Sequence, residues 1–334
     1  MWTDNELGEP VHVVATMSDR DEGRFVVERV KGRVHAGDSF GDVAVIYRAH
    51  VQSRAIEDAL RDAQIPYRLV GGHRFYDRKE VRDLTGYLRL LVNHDSDVDL
   101  LRIVNVPSRG IGPTTTKRLS EIAASRKTSL WDAIPVAAQA DDIGRRERLQ
   151  LGTFREMMAL FSSAVDSERP SELAARVIRG VGYRKMWEQE VERCLREGKK
   201  KESDDATERL SNVDELVNAI ASYEKRASDE GEVPTMRGYL NAVSLAEEEE
   251  KDTSLPRVTL LTIHAAKGLE FPNVFCVGWE DGRFPHVQPK EPLDQEEMRL
   301  GYVAVSRAKK RLWITYANQR FVRGHATDIV GMLG

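Results

Sequence analysis

Two hydrophobic spacings alternate along the first part of the chain. Val11 to Thr16 is a short β-branched run, Val43 to Tyr47 is apolar without interruption, and Tyr67 to Val70 stops at Gly71-Gly72. All three read as strands. Between them, Asp19 to Val34 shows helical spacing through Phe25, Val26, Arg29 and Val30. Val51 to Gln64 places Ile56, Ala59, Leu60 and Ala63 on one stripe, with Pro66 as the stop. Strands alternating with helices imply a parallel sheet covered by helices.

The period changes from about Lys79 to Ala246. Lys79 to Asn93, Val98 to Val104, Thr114 to Arg126, Arg145 to Ser167, Ser171 to Arg179, Tyr183 to Gly198, Asp205 to Asp229 and Thr235 to Leu245 all read as helices. Pro107, Gly110, Gly112-Pro113, Pro135, Pro170, Gly182, Gly231 and Pro234 punctuate them. The charged stretch Arg196 to Asp205 reads as a solvated loop or a frayed helix end. Beyond the acidic run Glu247 to Glu250, strand character returns at Val258 to Ile263, Val274 to Val277 and Leu312 to Tyr316. Asp294 opens a last helix, with Glu297 placed as a capping-box partner. The pattern predicts an α/β domain split in sequence, 1–93 and 254–334, around an all-α insertion at 94–253.

Composition narrows the class. With 334 residues, 41% hydrophobic and 31% charged, the chain can build ordinary cores. No apolar run approaches the roughly 20 residues that span a bilayer, and no basic-then-apolar leader opens it. Cys194 and Cys276 lack a metal-ligand spacing and the eight histidines are scattered, so we expect a reducing, cytoplasmic setting, no metal site and no membrane partner. The net charge of −4 does not advertise nucleic-acid binding. Charge is uneven, however: Leu100 to Lys127 holds six basic residues (Arg102, Arg109, Lys117, Arg118, Arg126, Lys127) against the single acid Glu121. Local fields of this kind steer polyanions; the plainer alternative is a solvated helix face.

Candidate chemistry lies in three strings. The first is Thr262-Ile263-His264-Ala265-Ala266-Lys267-Gly268-Leu269-Glu270-Phe271-Pro272. It reads as a buried strand running into a polar turn, where parallel sheets place ligand contacts. Gly268 lets backbone approach a ligand, Lys267 and His264 offer donors to phosphate, and Glu270 can accept from a sugar hydroxyl. The second, Glu296 to Ala308, reads as a helix presenting Arg299 and Arg307, with Leu300 and Tyr302 expected to pack. An arginine aimed at a γ-phosphate stabilises the charge that develops in phosphoryl transfer; a surface pair with Glu296 or Asp294 is the ordinary alternative. The third, Asn105 to Thr114, carries a Gly110-Ile111-Gly112 turn before a helix, a natural phosphate cradle or simply a tight turn. Val274 to Val277 followed by Glu280-Asp281 imitates a strand delivering acids to Mg²⁺. The nucleotide-gripping Gly-x-x-x-x-Gly-Lys-Ser/Thr string is absent from these residues, so no metal ligand is assigned there.

Together the first two strings resemble the last two motor motifs of superfamily one DNA helicases of the UvrD, PcrA and Rep type. Tyr47-Arg48, Gln52-Ser53-Arg54 and Gly71-Gly72-x-Arg-Phe-Tyr-Asp-Arg-Lys-Glu resemble the early part of the same domain, and the Gly-Ile-Gly string resembles its accessory domain's duplex-contacting turn. The resemblance implies a second RecA-like motor domain with an inserted helical domain. It implies that Gly268, Glu270 and Arg307 face ATP, with Arg307 as arginine finger. It puts Ser53, Arg54, Arg74, His264 and Lys267 on the tracked single strand, and Arg109, Gly110, Gly112, Lys117 and Arg118 on duplex phosphates. The implied activity is ATP- and Mg²⁺-dependent 3′ to 5′ translocation in repair or replication restart, near the bacterial nucleoid. The first RecA-like domain is the implied partner, together with DNA carrying a single-strand/duplex junction. A truncated or naturally split product, inactive alone as an ATPase, is the corresponding expectation. A stand-alone junction-binding module and the motor part of a RecB/AddA-type helicase–nuclease are the alternatives.

Overall fold

A computed structural model describes residues 9–71, 74–248, 255–280, 283–285, 295–322 and 325–328. Gly72, Glu249, Glu250, Asp281 and Asp294, all named in the sequence reading, lie outside the described residues. The chain divides into two compact units, residues 1–75 with 246–334, and residues 76–245.

In the first unit, β1 (His12–Ser18), α1 (Asp19–His35), β2 (Val43–Tyr47), α2 (Ser53–Asp62) and β3 (Tyr67–Val70) follow the predicted alternation. The chain re-enters this unit through β4 (Val258–Thr262), β5 (Phe271–Cys276), α12 (Gln295–Val305), β6 (Ala308–Val322) and β7 (His325–Asp328). The sheet order is β1-β6-β5-β2-β4-β3. Those neighbours are all parallel, and β7 alone pairs antiparallel, with β6. β2 is central and wholly buried, which explains why it reads as an unbroken apolar run. Its pleat feeds two cores. Val43, Val45 and Tyr47 join Val26, Val30, Ile56 and Leu60 on one face, while Ala44 and Ile46 join Ala266, Leu300 and Ala304 on the other. Each face thus receives the helix stripe that its strands require.

The second unit is helical among its described residues: α3 (Lys79–Val92), α4 (Asp97–Ile103), α5 (Pro113–Arg126), α6 (Leu130–Ala137), α7 (Arg145–Ser162), α8 (Pro170–Gly180), α9 (Tyr183–Arg196), α10 (Lys200–Asp229) and α11 (Met236–Glu248). The sequence pattern puts the junctions after 93 and 253, whereas the compact units meet at 75–76 and 245–246. The physical reason is α3, whose buried residues pack on α4, α7, α8 and α10. Its polar residues point the same way. Asp83 accepts from Tyr183 at 3.0 Å and pairs with Arg102 at 2.9 Å, and Asn212 donates to Glu80 at 2.5 Å.

Two local readings are corrected. Pro135, expected to separate helices, lies inside α6. It withholds an N–H, but Leu130, Trp131, Ala133, Ile134 and Ala137 bury enough apolar surface to keep the helix intact. Lys200 to Asp205, expected to be loop or frayed end, forms the first turns of α10, where Ser203 and Ala206 are buried. No helix among the described residues is long and apolar enough to cross a membrane.

Candidate nucleotide and DNA sites

The connection from β4 to β5 traverses the sheet. It leaves at the carboxyl edge, where Ile263 N–H donates to the Tyr47 carbonyl at 2.9 Å and Ala265 lies beside Gly71 at the end of β3. It arrives at the amino edge, where Phe271 N–H donates to the Arg307 carbonyl at 2.9 Å and Phe271 registers with Ala308. Five β2 residues separate these edges, on the order of 15 Å. The buried Ala266 anchors the connection in the core it shares with α12. Gly268 adopts φ +84°, a left-handed turn that glycine enters without cost. The string therefore spans both edges, with its His264 end at the carboxyl edge and Leu269 and Glu270 at the opposite one.

α12 makes the same crossing in the same sense, from the carboxyl edge to the amino edge. Near its start, the buried Glu297 carboxylate accepts from Arg48 at 2.9 and 3.0 Å, and Arg48 directly follows β2. Just past its end lies Arg307. The Arg307 guanidinium donates to the Val303 and Leu269 carbonyls, both at 3.0 Å, and to Ser306 Oγ at 2.9 Å. Every acceptor is neutral. No carboxylate among the described residues lies within ion-pair distance of Arg307, so its charge is oriented but not neutralised. Beside it, Glu270 is half-exposed and lies 3.5 Å from Lys309 Nζ. Arg307, Glu270 and the Gly268 turn thus form one corner. Arg299 takes the ordinary alternative, an exposed pair with Glu296 at 3.6 Å. Leu300 is buried as expected, but Tyr302 stands 50% exposed, because it falls on the helix face turned away from the sheet.

His264 at the carboxyl edge and Lys267 further along the connection are exposed, with no side-chain partner among the described residues. Arg74 is partly exposed, its guanidinium 5.8 Å from the Tyr67 ring centre. Ser53 and Arg54 are different. Ser53 is fully buried and donates to the His50 carbonyl at 2.8 Å and to Glu57. Arg54 is 3% exposed and pairs with Asp58 at 2.9 Å and Asp19 at 3.5 Å. Both were expected on the tracked strand; both have instead been drawn inward to tie α2 to its neighbours. Arg48 was not singled out from the sequence. Its signal is its place immediately after the one fully apolar parallel strand.

In the helical unit three of the six basic residues at Leu100 to Lys127 are engaged internally, while Lys117, Arg126 and Lys127 are exposed. Arg102 pairs with Asp83, and Arg118 pairs with Asp142 at 2.5 Å and Glu121 at 3.1 Å. Arg109, expected against duplex phosphate, folds back into its own loop. It donates to the carbonyls of Ile103, Val104 and Pro107 at 3.1–3.3 Å and to the Tyr87 hydroxyl at 2.7 Å. Burial pushes that hydroxyl up to about 12 against the pull of Arg109, so the neutral phenol passes its proton bond to the Val106 carbonyl at 2.6 Å. Asn105 accepts from the N–H groups of Arg109 and Ile111. The result is a stapled loop that leaves Gly110 exposed, at φ +80°, ahead of α5. No side chain caps α5, and its first turn holds no acid. Lys117 is exposed on it.

The apparent acidic pair proves structural where it is described. Glu280 is fully buried and accepts from Arg320 at 2.6 and 3.0 Å and from Ala317 N–H at 2.8 Å. Asp281 lies outside the described residues.

The model of the UvrD-like helicase C-terminal domain matches residues 1–319. The ATP-dependent DNA helicase PcrA of Staphylococcus aureus is 35% identical over 97% of this chain and 43% of its own length. That of Staphylococcus epidermidis is 34% identical over 98% of the chain and likewise 43% of its own length. The chain therefore spans less than half of the curated relatives it matches, and across almost all of its residues it belongs to the UvrD-like helicase C-terminal domain family.

Proposed function

We propose that this chain supplies the second motor domain and the helical accessory domain of an ATP-dependent 3′ to 5′ DNA helicase. The observation that carries this reading is the set of neutral acceptors around Arg307. A guanidinium held by two carbonyls and a hydroxyl keeps a full positive charge and a fixed direction, which is what stabilisation of a transferring phosphoryl group requires. Glu270, beside it, accepts from a ribose hydroxyl, and the Gly268 turn lets backbone close over the nucleotide. Mg²⁺ and the phosphate-gripping loop come from the first RecA-like domain, which is the obligatory protein partner. Alone, this chain does not turn ATP over.

DNA takes the other edge. Exposed His264 and Lys267, with Arg74 just beyond β3, contact the tracked single strand. Gly110, Gly112 and Lys117 meet duplex phosphates ahead of the junction, contacts that orient without reading sequence. The chain crosses the sheet twice between these edges, so a shift at the nucleotide corner is transmitted to the strand. The test is ATP turnover on single-stranded DNA by the chain joined to an amino-terminal motor half. Arg307→Ala is expected to slow turnover by about 10³-fold or more while nucleotide still binds. Turnover at the unaltered rate rejects the assignment, and robust turnover by the isolated chain rejects the half-motor reading.

A further inference from the structure

The basic residues of the helical unit sort into two groups. Arg118 and Arg148 are tied to Asp142 and Asp141, the latter at 3.2 Å. Lys117, Arg145 and Arg146 are exposed, and none has a carboxylate within ion-pair distance among the described residues. The fold brings these unspent charges to one place from two distant parts of the chain. The Arg118–Asp142 bridge ties α5 to the turn that opens α7. A Cβ placed on Gly110 would stand 3.8 Å from Arg146 Nε. The Arg146 guanidinium therefore lies alongside the exposed Gly110 backbone rather than out on an unrelated face.

We propose that Arg146, flanked by Arg145, is a second duplex-phosphate contact that extends the Gly110–Lys117 surface from α5 onto the start of α7. The proposal rests on the reading of Gly110, Gly112 and Lys117 as a duplex surface. A positive-φ glycine with no side chain admits the close approach of a sugar–phosphate backbone. An arginine fork beside it engages phosphate oxygens with two donors. Of the neighbouring carboxylates, Asp142 and Asp141 are occupied by Arg118 and Arg148, which leaves Glu147 on the first turn of α7 against the three cations Lys117, Arg145 and Arg146. Such a surface suits a regularly spaced polyanion and carries no base preference. It would explain why an acidic chain holds duplex DNA through one small region.

The test is fluorescence anisotropy of the whole chain with a short blunt duplex and with a single strand, across a salt series. Arg146→Ala is expected to weaken duplex binding and to reduce the slope of log affinity against log salt by about one, leaving single-strand binding unchanged. Arg146→Lys retains the slope, because the charge remains, and circular dichroism confirms that both variants fold. If Lys117→Ala weakens duplex binding and Arg146→Ala does not, the extension onto α7 is wrong and the α5 surface stands. If the unaltered chain binds no duplex even at low salt, the duplex reading of Gly110 to Lys117 falls as well. Arg146-dependent capture of an acidic peptide, with duplex binding indifferent to Arg146, overturns the choice of partner.

Discussion

The Arg307 guanidinium donates to the Leu269 carbonyl at 3.0 Å, joining two segments 38 residues apart in sequence. This bond sets the direction of an uncancelled charge and couples it to the Gly268 turn. The fork geometry is essential, since Val303, Leu269 and Ser306 are engaged by three different nitrogens. A lysine retains charge but not that scaffold. Arg307→Lys in the chain joined to a motor half is therefore expected to restore little turnover. Rates within about threefold of the unaltered protein would show that charge alone suffices.

Gly268 offers a finer probe of the same corner. A Cβ there meets nothing within 4 Å, so Gly268→Ala creates no clash, only a residue forced to φ +84°. The expected cost is about 1–2 kcal/mol, read by urea unfolding of the chain. If the backbone relaxes instead, the Leu269 carbonyl moves, and the variant should lose turnover without losing stability. An alanine variant unchanged in both would mean that the turn need not be left-handed.

Arg320 bridges Glu22 at 2.7 Å and Glu280 at 2.6 Å, all three at most 4% exposed in their side chains. Removing the cation strands two buried carboxylates, and breaking such a cluster from one side costs about 3–5 kcal/mol. Arg320→Met is expected to unfold the α/β unit at lower denaturant while the helical unit keeps its own transition. A loss below about 1 kcal/mol would mean that the acids find other partners.

His94 stacks on Trp131 with ring centres 4.1 Å apart and bonds to Ser162 Oγ at 2.9 Å. Burial, then the nearby Arg155 charge, hold its pKa below the ordinary 6.5 against the opposing pull of Asp95 and Asp132. The unfolded chain therefore binds the proton more readily. Its contribution to stability is complete above pH 6.5 and is lost as pH falls through the lower folded value. The helical unit should melt at lower temperature in mild acid, and His94→Phe, which keeps the stack, should flatten that slope. An unaltered slope in the variant would assign the acid sensitivity elsewhere.

Legibility of the site depended on whether a residue's partner was local. The Gly268 turn, the helix that leads into Arg307 and the strand ending at Tyr47 are consequences of nearby residues, and each was visible in the sequence. Ser53 and Arg54 looked like phosphate donors because serine and arginine next to a strand end have that chemistry. Their burial depends on Asp19, Glu57 and Asp58 packing around α2. Arg109 looked free because its acceptors are main-chain carbonyls, which sequence does not distinguish. Arg146 could not be linked to Gly110 without the fold, since no hydrophobic period connects them.

The sequence by itself determined the alternation of strand and helix in the α/β unit, the helical character of the insertion and the family to which the chain belongs. These follow from periodicity and from residue identities at fixed spacing, both local properties of the chain. Only the tertiary structure decided that the β4–β5 connection serves opposite edges of the sheet. Only it decided which charges are spent inside and which remain for a ligand, as with Arg48 and Glu297, 249 positions apart. Ion pairs and carbonyl contacts close over long sequence separations, and the packing of α1, α2, α3 and α12 settles them.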